Sequence, residues 1–261
     1  MKTTHTIADL RETLDAFHAE TIGLVPTMGA LHAGHVSLFE AARAECDCVV
    51  ASAFVNPAQF GPGEDLARYP RDEERDGGIA AAAGVDVLFA PSSAELYPPG
   101  YQTWVDVEEL AKPLEGAFRP GHFRGVATIC LKLFNIVRPQ RAYFGQKDAQ
   151  QALVLRRMIA DLNLDSTLEL RILPTVRDDD GLALSSRNGY LTAADRERAL
   201  ALPRALRTRD PVRARELLAR AGVDTDYVDV LEDDGMRVLA GAIRIGSTRL
   251  IDNVPLEGGM E

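Results

Sequence analysis

The sequence predicts an α/β fold in which a parallel sheet is followed by a smaller C-terminal α+β domain. Apolar runs of strand length alternate with amphipathic helical segments over most of the chain. Such alternation is typical of βαβ units, whose helices cover both faces of a parallel sheet. A charged turn at residues 177–181 ends this pattern, and helical stretches followed by short strands come after it. We therefore predict two domains, residues 1–176 and residues 177–261.

The first domain begins with an amphipathic helix over residues 6–17, because apolar residues recur there at helical spacing and Thr6 with Asp9 can cap its start. Pro26 ends the first apolar strand. The second apolar run, residues 48–55, is too short and too rich in β-branched residues for a free helix, so we interpret it as a strand. The predicted strands are 22–25, 48–55, 85–89, 142–144 and 168–172, and the predicted helices between them are 35–44, an Ala-rich segment ending at 83, and 149–160.

The smaller second domain mixes helices and strands without the βαβ alternation. We expect helices over 193–205 and 212–221 and short strands near 227–230, 242–245 and 249–252. These elements supply too little apolar surface for the domain to be very stable alone, so we expect it to dock on the first.

The composition excludes several classes of protein. The 261 residues are 46% apolar and 26% charged, which is typical of a globular chain and not of a disordered or membrane one. There are 39 acidic residues and 29 basic ones, and the net charge of −10 opposes binding of nucleic acid through its phosphates. No apolar run approaches the roughly 20 residues that cross a bilayer, and the first residues do not resemble a signal peptide. With three sparse cysteines, these features predict a cytoplasmic protein that binds neither nucleic acid nor membranes.

The segment from Met28 to His35 carries the strongest chemical signal. It follows the first predicted strand and opens a helix, which is where open parallel sheets bind nucleotides. Gly29 and Gly34 let the backbone approach a ligand, and free backbone N–H groups with the helix dipole attract phosphate. His32 and His35 can both donate hydrogen bonds to phosphate oxygens. Two other interpretations stay open: a turn with two surface histidines, and a zinc pair, for which no third ligand stands at a recognised spacing.

Two further segments combine cationic and hydroxyl side chains. Lys147 and Asp148 follow a predicted strand, where the cation can lie against phosphate and the carboxylate can cap a helix or bind a ribose hydroxyl. Ser185, Ser186 and Arg187 supply hydroxyls and a guanidinium that suit nucleotide phosphates and a leaving pyrophosphate. Each segment alone is equally compatible with an ordinary cap or a surface turn.

A fourth segment places neutral amides at the end of the second strand. Asn56 and Gln59 lie between Phe54 and Phe60 in the sequence. Amides beside aromatic rings suit a small molecule with an apolar body and hydroxyl or carboxylate ends. The alternative is a strand ended by proline, with amides that cap neighbouring backbone.

In their order along the chain, these segments resemble one family, the pantothenate synthetases or pantoate–β-alanine ligases of the nucleotidylyltransferase superfamily. The resemblance runs nearly from end to end. The matching segments are Pro26–His35, Phe54–Phe60, Arg119–Val126, Phe144–Asp148 with Gln151, Leu184–Asn188 and Thr248–Asn253.

The resemblance implies a Rossmann-like first domain that binds ATP and pantoate, a smaller C-terminal lid domain, and a homodimer. It implies that ATP and (R)-pantoate give pantoyl adenylate and pyrophosphate, after which β-alanine attacks the adenylate to give pantothenate and AMP. Magnesium accompanies the nucleotide in this reaction. No acidic side chain stands out as its ligand, so we expect phosphate oxygens to hold it.

The same resemblance implies roles for individual residues, with His35 as the proton donor. The implied catalytic residues are His32, His35, Lys147, Ser185, Ser186 and Arg187. The implied ATP site comprises Met28, Gly29, Ala30, Leu31, His32, Ala33, Gly34, His35, Gly145, Gln146, Lys147, Asp148, Val176, Leu184, Ser185, Ser186 and Arg187. The residues implied for pantoate are Asn56, Gln59 and Gln151, with Gln59 also near β-alanine.

Two departures and two alternative functions accompany this resemblance. Gln146 stands where many members have Glu, and residues 205–223 are shorter than the corresponding helical segment. A different nucleotidylyltransferase, acting on a cofactor precursor, would share the histidine loop but would not require Gln59 and Gln151. A non-catalytic nucleotide-binding module would not require His35 or Lys147.

Overall fold

The computed structural model describes residues 1–17, 20–233 and 235–257. The chain divides into two units. The first unit comprises Met1–Phe144 and Val154–Arg171, and the second unit comprises Gly145–Leu153 and Ile172–Glu261.

A six-stranded sheet, in the order β1-β4-β3-β2-β5-β6, forms the centre of the α/β fold. The pairs β1–β4, β4–β3, β3–β2 and β2–β5 are all parallel, which confirms the predicted fold class. The strand order reverses beside β2, and ligands of open α/β sheets bind outside the carboxyl ends of strands at such a point. The strands are β1 (Lys2–Thr4), β2 (Ile22–Thr27), β3 (Cys48–Ala53), β4 (Val87–Phe89), β5 (Arg141–Gly145) and β6 (Glu169–Leu173).

In the described part of the chain, seven α-helices connect or follow these strands. Thr6 caps the first of them, because its hydroxyl accepts a hydrogen bond from the Asp9 N–H as the sequence predicts. The longest, α6, is buried along most of its 16 residues. The helices are α1 (Ile7–Leu14), α2 (Ala33–Glu45), α3 (Glu73–Ala82), α4 (Ser93–Leu96), α5 (Glu115–Phe118), α6 (His122–Val137) and α7 (Ala149–Asp161).

The second unit contains an antiparallel sheet in the order β7-β8-β9, with helices against it. Its apolar core includes Leu202, Leu206, Leu218, Leu239 and Ile243, each at most 1% exposed. Its elements are α8 (Ala193–Ala199), α9 (Ala201–Leu206), α10 (Pro211–Arg220), β7 (Asp224–Asp233), β8 (Met236–Ile245) and β9 (Thr248–Glu257).

The structure differs from the predicted elements in several places. The single helix expected over 193–205 is two helices that meet at Leu200. Pro203 has no N–H to donate to the Ala199 carbonyl, so the helical hydrogen bonds are interrupted there. β1, α4, α5 and α6 were not predicted, and the three C-terminal strands are each ten residues long. Among the described residues, every helix is too short or too polar to span a bilayer.

Candidate functional site

The loop after β2 is shaped by close hydrogen bonds at the carboxyl end of that strand. The Thr27 hydroxyl donates to the Ser52 carbonyl at 2.5 Å and accepts from the Gly29 N–H at 3.1 Å. Gly29 and Ala30 then adopt positive φ angles of 76° and 52°. Glycine suits the first of these positions for two reasons, because a Cβ there would also lie 2.9 Å from an Asp76 carboxylate oxygen.

Asp76, on α3, holds this loop from within the first unit. Its two carboxylate oxygens accept from the Ala30 N–H at 2.7 Å and the Leu31 N–H at 2.8 Å. The carboxyl is 2% exposed. Arg75 completes the arrangement, since it donates to the Leu31 carbonyl at 3.0 Å and lies 3.3 Å from the Asp76 carboxylate. Nothing in the sequence marks Asp76, because acidic residues are usual in the first turn of a helix.

His32 and His35 cap the start of α2 through a reciprocal pair of hydrogen bonds. The His32 Nδ1 accepts from the Gly34 N–H at 3.1 Å, and the His35 Nδ1 accepts from the His32 N–H at 3.2 Å. A nitrogen that accepts carries no proton, so in each neutral ring the proton is on Nε2. The ring centroids are 4.1 Å apart. The pair therefore has two Nε2–H donors at the positive end of a helix dipole, an arrangement suited to phosphate oxygens.

Most of the backbone N–H groups that the sequence predicts to be free in this loop are hydrogen-bonded within the protein. The N–H groups of residues 29, 30, 31, 32, 34 and 35 all have protein acceptors. The carboxylate of Asp76 takes two of them, and the capping histidines take two more. We therefore expect the affinity of this loop for an anion to come mainly from the imidazole Nε2–H groups and the helix dipole.

The predicted amide residues flank a 3₁₀ turn, Pro57–Gln59, that follows β3: Asn56 is its N-cap and Gln59 its last residue. The Asn56 amide donates to the Gln59 Oε1 at 3.0 Å and to the Gly125 carbonyl at 3.1 Å, and its Oδ1 accepts from the Ala58 N–H. Asn56 is almost fully buried. It therefore fixes the side chain of Gln59, whose Nε2 donates to the Met28 Sδ at 3.0 Å.

His122, in the first turn of α6, binds the backbone of the 3₁₀ turn Pro57–Gln59. The His122 Nδ1 donates to the Gln59 carbonyl at 2.8 Å, and its Nε2 accepts from Arg119 at 3.1 Å. Arg119 in turn forms two hydrogen bonds to the Glu64 carboxylate. Burial, assisted by the Arg119 charge, lowers the pKa of His122 to about 4, so the ring is neutral near pH 7.

The pKa of the Glu64 carboxyl is also lowered, but for an acid the lower value favours the charged form. Burial alone would favour the neutral acid, but hydrogen bonds and charge from Arg119 hold the pKa of Glu64 below its usual value. Helix α6 packs closely on the turn, since a Cβ at Gly125 would lie 2.3 Å from the Ala58 carbonyl oxygen. The sequence did not assign His122 and Arg119 a role, although they stand in a segment that carries the family resemblance.

The cationic segments predicted for ATP lie in the second unit. Lys147 is on the 3₁₀ turn Gln146–Asp148, and its Nζ is 3.5 Å from the Asp148 carboxylate. Gln151 is on the first turn of α7 and is half-buried. The side chain of Asn253, on β9, donates to the Gln146 carbonyl at 2.8 Å and the Lys147 carbonyl at 2.9 Å.

The remaining predicted residues follow a short backbone hairpin. The Leu184 N–H donates to the Val176 carbonyl at 3.0 Å, and Arg177 pairs with Ala183 in an antiparallel bridge. The Ser185 hydroxyl then caps the turn Ser186–Tyr190 by accepting from the Arg187 N–H at 3.3 Å. The two serines and Arg187 therefore lie together on one short segment that follows the hairpin.

The predicted residues therefore form two sets, one in each unit. The set in the first unit comprises Met28–His35, Asn56 and Gln59, and the set in the second unit comprises Gly145–Asp148, Gln151, Val176 and Leu184–Arg187. Among the described residues, no cluster of three or more His, Cys, Asp and Glu side chains could hold a metal ion. All three cysteines are buried and free.

Comparison with known proteins gives one consistent result. The family model described as pantoate-beta-alanine ligase matches residues 2–255. The pantothenate synthetase of Moorella thermoacetica is 52% identical over 98% of this chain and 99% of its own length. That of Roseiflexus castenholzii is also 52% identical, over 98% of this chain and all of its own length.

Solved structures agree with these relatives. The crystal structure of pantothenate synthetase from Thermus thermophilus has a TM-score of 0.92 and 46% identity, and covers 99% of this chain and 100% of its own. The pantoate-beta-alanine ligase from Francisella tularensis, complexed with beta-gamma ATP and beta-alanine, has a TM-score of 0.88 and 36% identity over the full length of both chains.

Proposed function

The chain belongs to the pantoate–β-alanine ligase family and catalyses the ATP-dependent ligation of pantoate and β-alanine, and from that premise we propose how its own residues perform the reaction. The observation that carries the proposal is the reciprocal capping of His32 and His35. It fixes the orientation of both imidazoles, and in the neutral rings it leaves Nε2–H as the donor. Donors fixed in advance stabilise charge that develops on phosphate oxygens without having to reorganise.

In the first step, a pantoate carboxylate oxygen attacks the α-phosphorus of ATP. A new P–O bond forms as the bond to the β-phosphate oxygen breaks, which gives pantoyl adenylate and pyrophosphate. Both reactants are anions, so the enzyme must offset their repulsion and hold them in line. We assign this task to His32, His35, Lys147 and Arg187, with the hydroxyls of Ser185 and Ser186 as further donors.

Pantoate is bound in this proposal by Gln59 and Gln151. Asn56 acts through Gln59, because its amide is taken up by protein hydrogen bonds. In the second step, the neutral amine of β-alanine attacks the acyl carbon and a C–N bond forms. The bond between the acyl carbon and the AMP oxygen breaks, and the nitrogen loses one proton as AMP leaves. Exclusion of water protects the adenylate from hydrolysis at this stage.

Magnesium fits this site as a companion of the nucleotide. The described residues offer no carboxylate cluster for an all-protein cage, and Mg²⁺ commonly binds through substrate phosphates with only one or two protein ligands. When bound, it would neutralise phosphate charge and favour departure of pyrophosphate.

We also propose that the protein is a cytoplasmic homodimer, with residues 1–176 and 177–261 as its nucleotide-binding and lid domains. Family membership supports each of these statements. Light scattering of the purified protein would report about twice the chain mass for a dimer. A mass equal to one chain would overturn the dimer.

Isotope exchange tests the function directly. The protein with Mg-ATP should exchange labelled pyrophosphate into ATP only when pantoate is present, and β-alanine should then release AMP in a one-to-one ratio with pantothenate. Exchange without pantoate would favour a different nucleotidylyltransferase. Absence of exchange under every condition would favour a non-catalytic module.

Two substitutions of His35 separate its capping role from its donor role. His35→Asn can still accept from the His32 N–H but has no group at the Nε2 position, whereas His35→Ala loses both. Both variants should lower kcat by about 10²- to 10⁴-fold, while only His35→Ala should also lower the Tm. His5→Ala, at an exposed histidine far from this loop in sequence, is the control. A His35→Asn variant with wild-type turnover would exclude His35 as a donor.

A further inference from the structure

The segment Thr248–Asn253 carries part of the family resemblance, yet the reaction described above assigns it no role. Its last two residues, Asp252 and Asn253, are polar side chains on β9 that are 3% and 2% exposed. Burial of an amide or a carboxylate is costly unless each is hydrogen-bonded. The partners of these two side chains therefore indicate what the pair does.

Asn253 is bonded to the turn that carries Lys147. Its Nδ2 donates to the carbonyls of Gln146 and Lys147, and its Oδ1 accepts from the Gln146 Nε2 at 3.2 Å. Two of these three partners are backbone atoms of consecutive residues, so the amide fixes the position and direction of the peptide that bears the Lys147 side chain. A neutral donor does so without placing a charge next to the Lys147 ammonium.

Asp252 is bonded to the hairpin that leads to Arg187. Its carboxylate accepts from both terminal nitrogens of Arg177, at 2.7 and 2.9 Å, in a bidentate pair. Arg177 also donates to the Gly181 carbonyl at 3.2 Å and pairs with Ala183 through its backbone. The same carboxylate accepts from the Asn253 N–H at 2.8 Å, which joins the two side chains into one network.

We propose that Asp252 and Asn253 are positioning residues for ATP. Asn253 orients Lys147 through the carbonyls of Gln146 and Lys147, and Asp252 orients the Leu184–Arg187 segment through Arg177. The inference rests on the proposed assignment of Lys147 and Arg187 to ATP. A single dipeptide on β9 then sets the directions of two cationic side chains that lie about 40 residues apart in sequence, and such orientation is where an enzyme gains much of its rate.

Substitution at residue 253 tests the proposal, with affinity for Mg-ATP measured by calorimetry and KM values by the ligation assay. Asn253→Ala should weaken ATP binding and raise the KM for ATP about tenfold, while the KM for β-alanine changes less than about twofold. Asn253→Ser retains one hydroxyl donor for one of the two carbonyls and should give an intermediate effect. Asp252→Asn should weaken ATP binding as well, because it breaks the bidentate pair with Arg177.

Val254→Ala is the matched control. Val254 follows Asn253 on β9 and packs against the apolar core of the second unit. Its truncation should lower the Tm without changing the KM for ATP. If Asn253→Ala shifts the affinity for ATP no more than Val254→Ala does at a comparable loss of Tm, the pair is only structural and the proposal is overturned.

The same measurements distinguish this proposal from the proposed function. A wild-type protein that binds ATP but shows no exchange with pantoate would contradict the ligase reaction while the variants still report on ATP positioning. A wild-type protein without affinity for ATP would overturn both.

Discussion

The loop after β2 and the turn after β5 are fixed by side chains of opposite hydrogen-bonding character. In the first unit, the carboxylate of Asp76 accepts from two consecutive backbone N–H groups. In the second unit, the amide of Asn253 donates to two consecutive backbone carbonyls. Each side chain is almost fully buried, and each fixes a short segment that carries residues assigned to ATP.

The difference determines which groups remain for an anionic ligand. The Asp76 carboxylate accepts from N–H groups of the loop after β2, so phosphate binding there depends on the two imidazoles. The Asn253 amide donates to carbonyl oxygens of the second turn and places no charge beside Lys147. The two supports also differ in energetic cost, because a buried carboxylate is harder to replace than a buried amide.

The largest expected effect follows from replacing Asp76 by Asn. The amide can accept from only one of the two loop N–H groups, and its own NH₂ faces the other. Asp76→Asn should therefore lower the free energy of unfolding by about 3 kcal/mol and kcat/KM for ATP by about tenfold or more. Urea unfolding and steady-state kinetics measure the two quantities.

Asp72→Asn is the control for this substitution. Asp72 is the N-cap of the same helix, and Asn caps a helix as well as Asp does. The control should change the free energy of unfolding by less than about 0.5 kcal/mol. Equal effects of the two substitutions would mean that the Asp76 contacts do not stabilise the loop.

Acid should weaken the first unit through His122. The pKa of this ring is about 4 in the folded protein, mainly because of burial, compared with 6.5 for a histidine that is not buried. Below pH 6.5 the unfolded chain takes up a proton that the folded chain resists, so stability falls as the pH drops towards 4. The expected loss between pH 7 and pH 5 is about 2 kcal/mol, measured by urea unfolding at several pH values.

Three titratable side chains face His122. They are Arg119, Glu64 and Glu115, and the pKa of Glu64 is lowered, so its own contribution is lost only in stronger acid. His122→Asn can still donate to the Gln59 carbonyl but does not titrate. It should remove the pH dependence assigned to this ring. The same slope in wild type and variant would exclude His122 as its source. The sequence of the second unit contains no histidine, so the comparison between the units predicts a histidine-linked loss of stability between pH 7 and pH 5 in the first unit only.

The parts of the fold that were predicted are those with local signals. Apolar runs bounded by proline or glycine identified five of the six strands, and α6 was within reach, since Phe123, Val126, Cys130 and Val137 recur at helical spacing. β1 has no such signal, because its three residues are Lys2, Thr3 and Thr4 and its strand character comes from pairing with β4.

The parts of the site that were missed depend on partners distant in sequence. Asp76 is 45 and 46 residues from the N–H groups that it holds, and Asn253 is 106 and 107 residues from its carbonyls. No spacing rule connects such pairs. Side chains that face a ligand can be guessed from their chemistry, whereas the side chains that hold them are found only once the chain is folded.

The smallest expected effect concerns Gln146, where the family resemblance led us to expect Glu. Its Nε2 donates to the Asn253 Oδ1, and a carboxylate cannot replace that donor. The two hydrogen bonds from Asn253 to the carbonyls do not involve this side chain. Gln146→Glu should therefore change the free energy of unfolding by less than about 1 kcal/mol and raise the KM for ATP only about twofold.

Gln146→Met separates loss of the hydrogen bond from the added negative charge, because methionine has a similar length and no charge. If both variants weaken ATP binding as strongly as Asn253→Ala, the side chain of Gln146 and not the carbonyl contacts would fix the turn. Fixation of the backbone by a buried side chain would then apply to Asp76 in the first unit but not to Asn253 in the second. If both remain close to wild type, the backbone contacts of Asn253 suffice, and either Gln or Glu is compatible with the same position of Lys147.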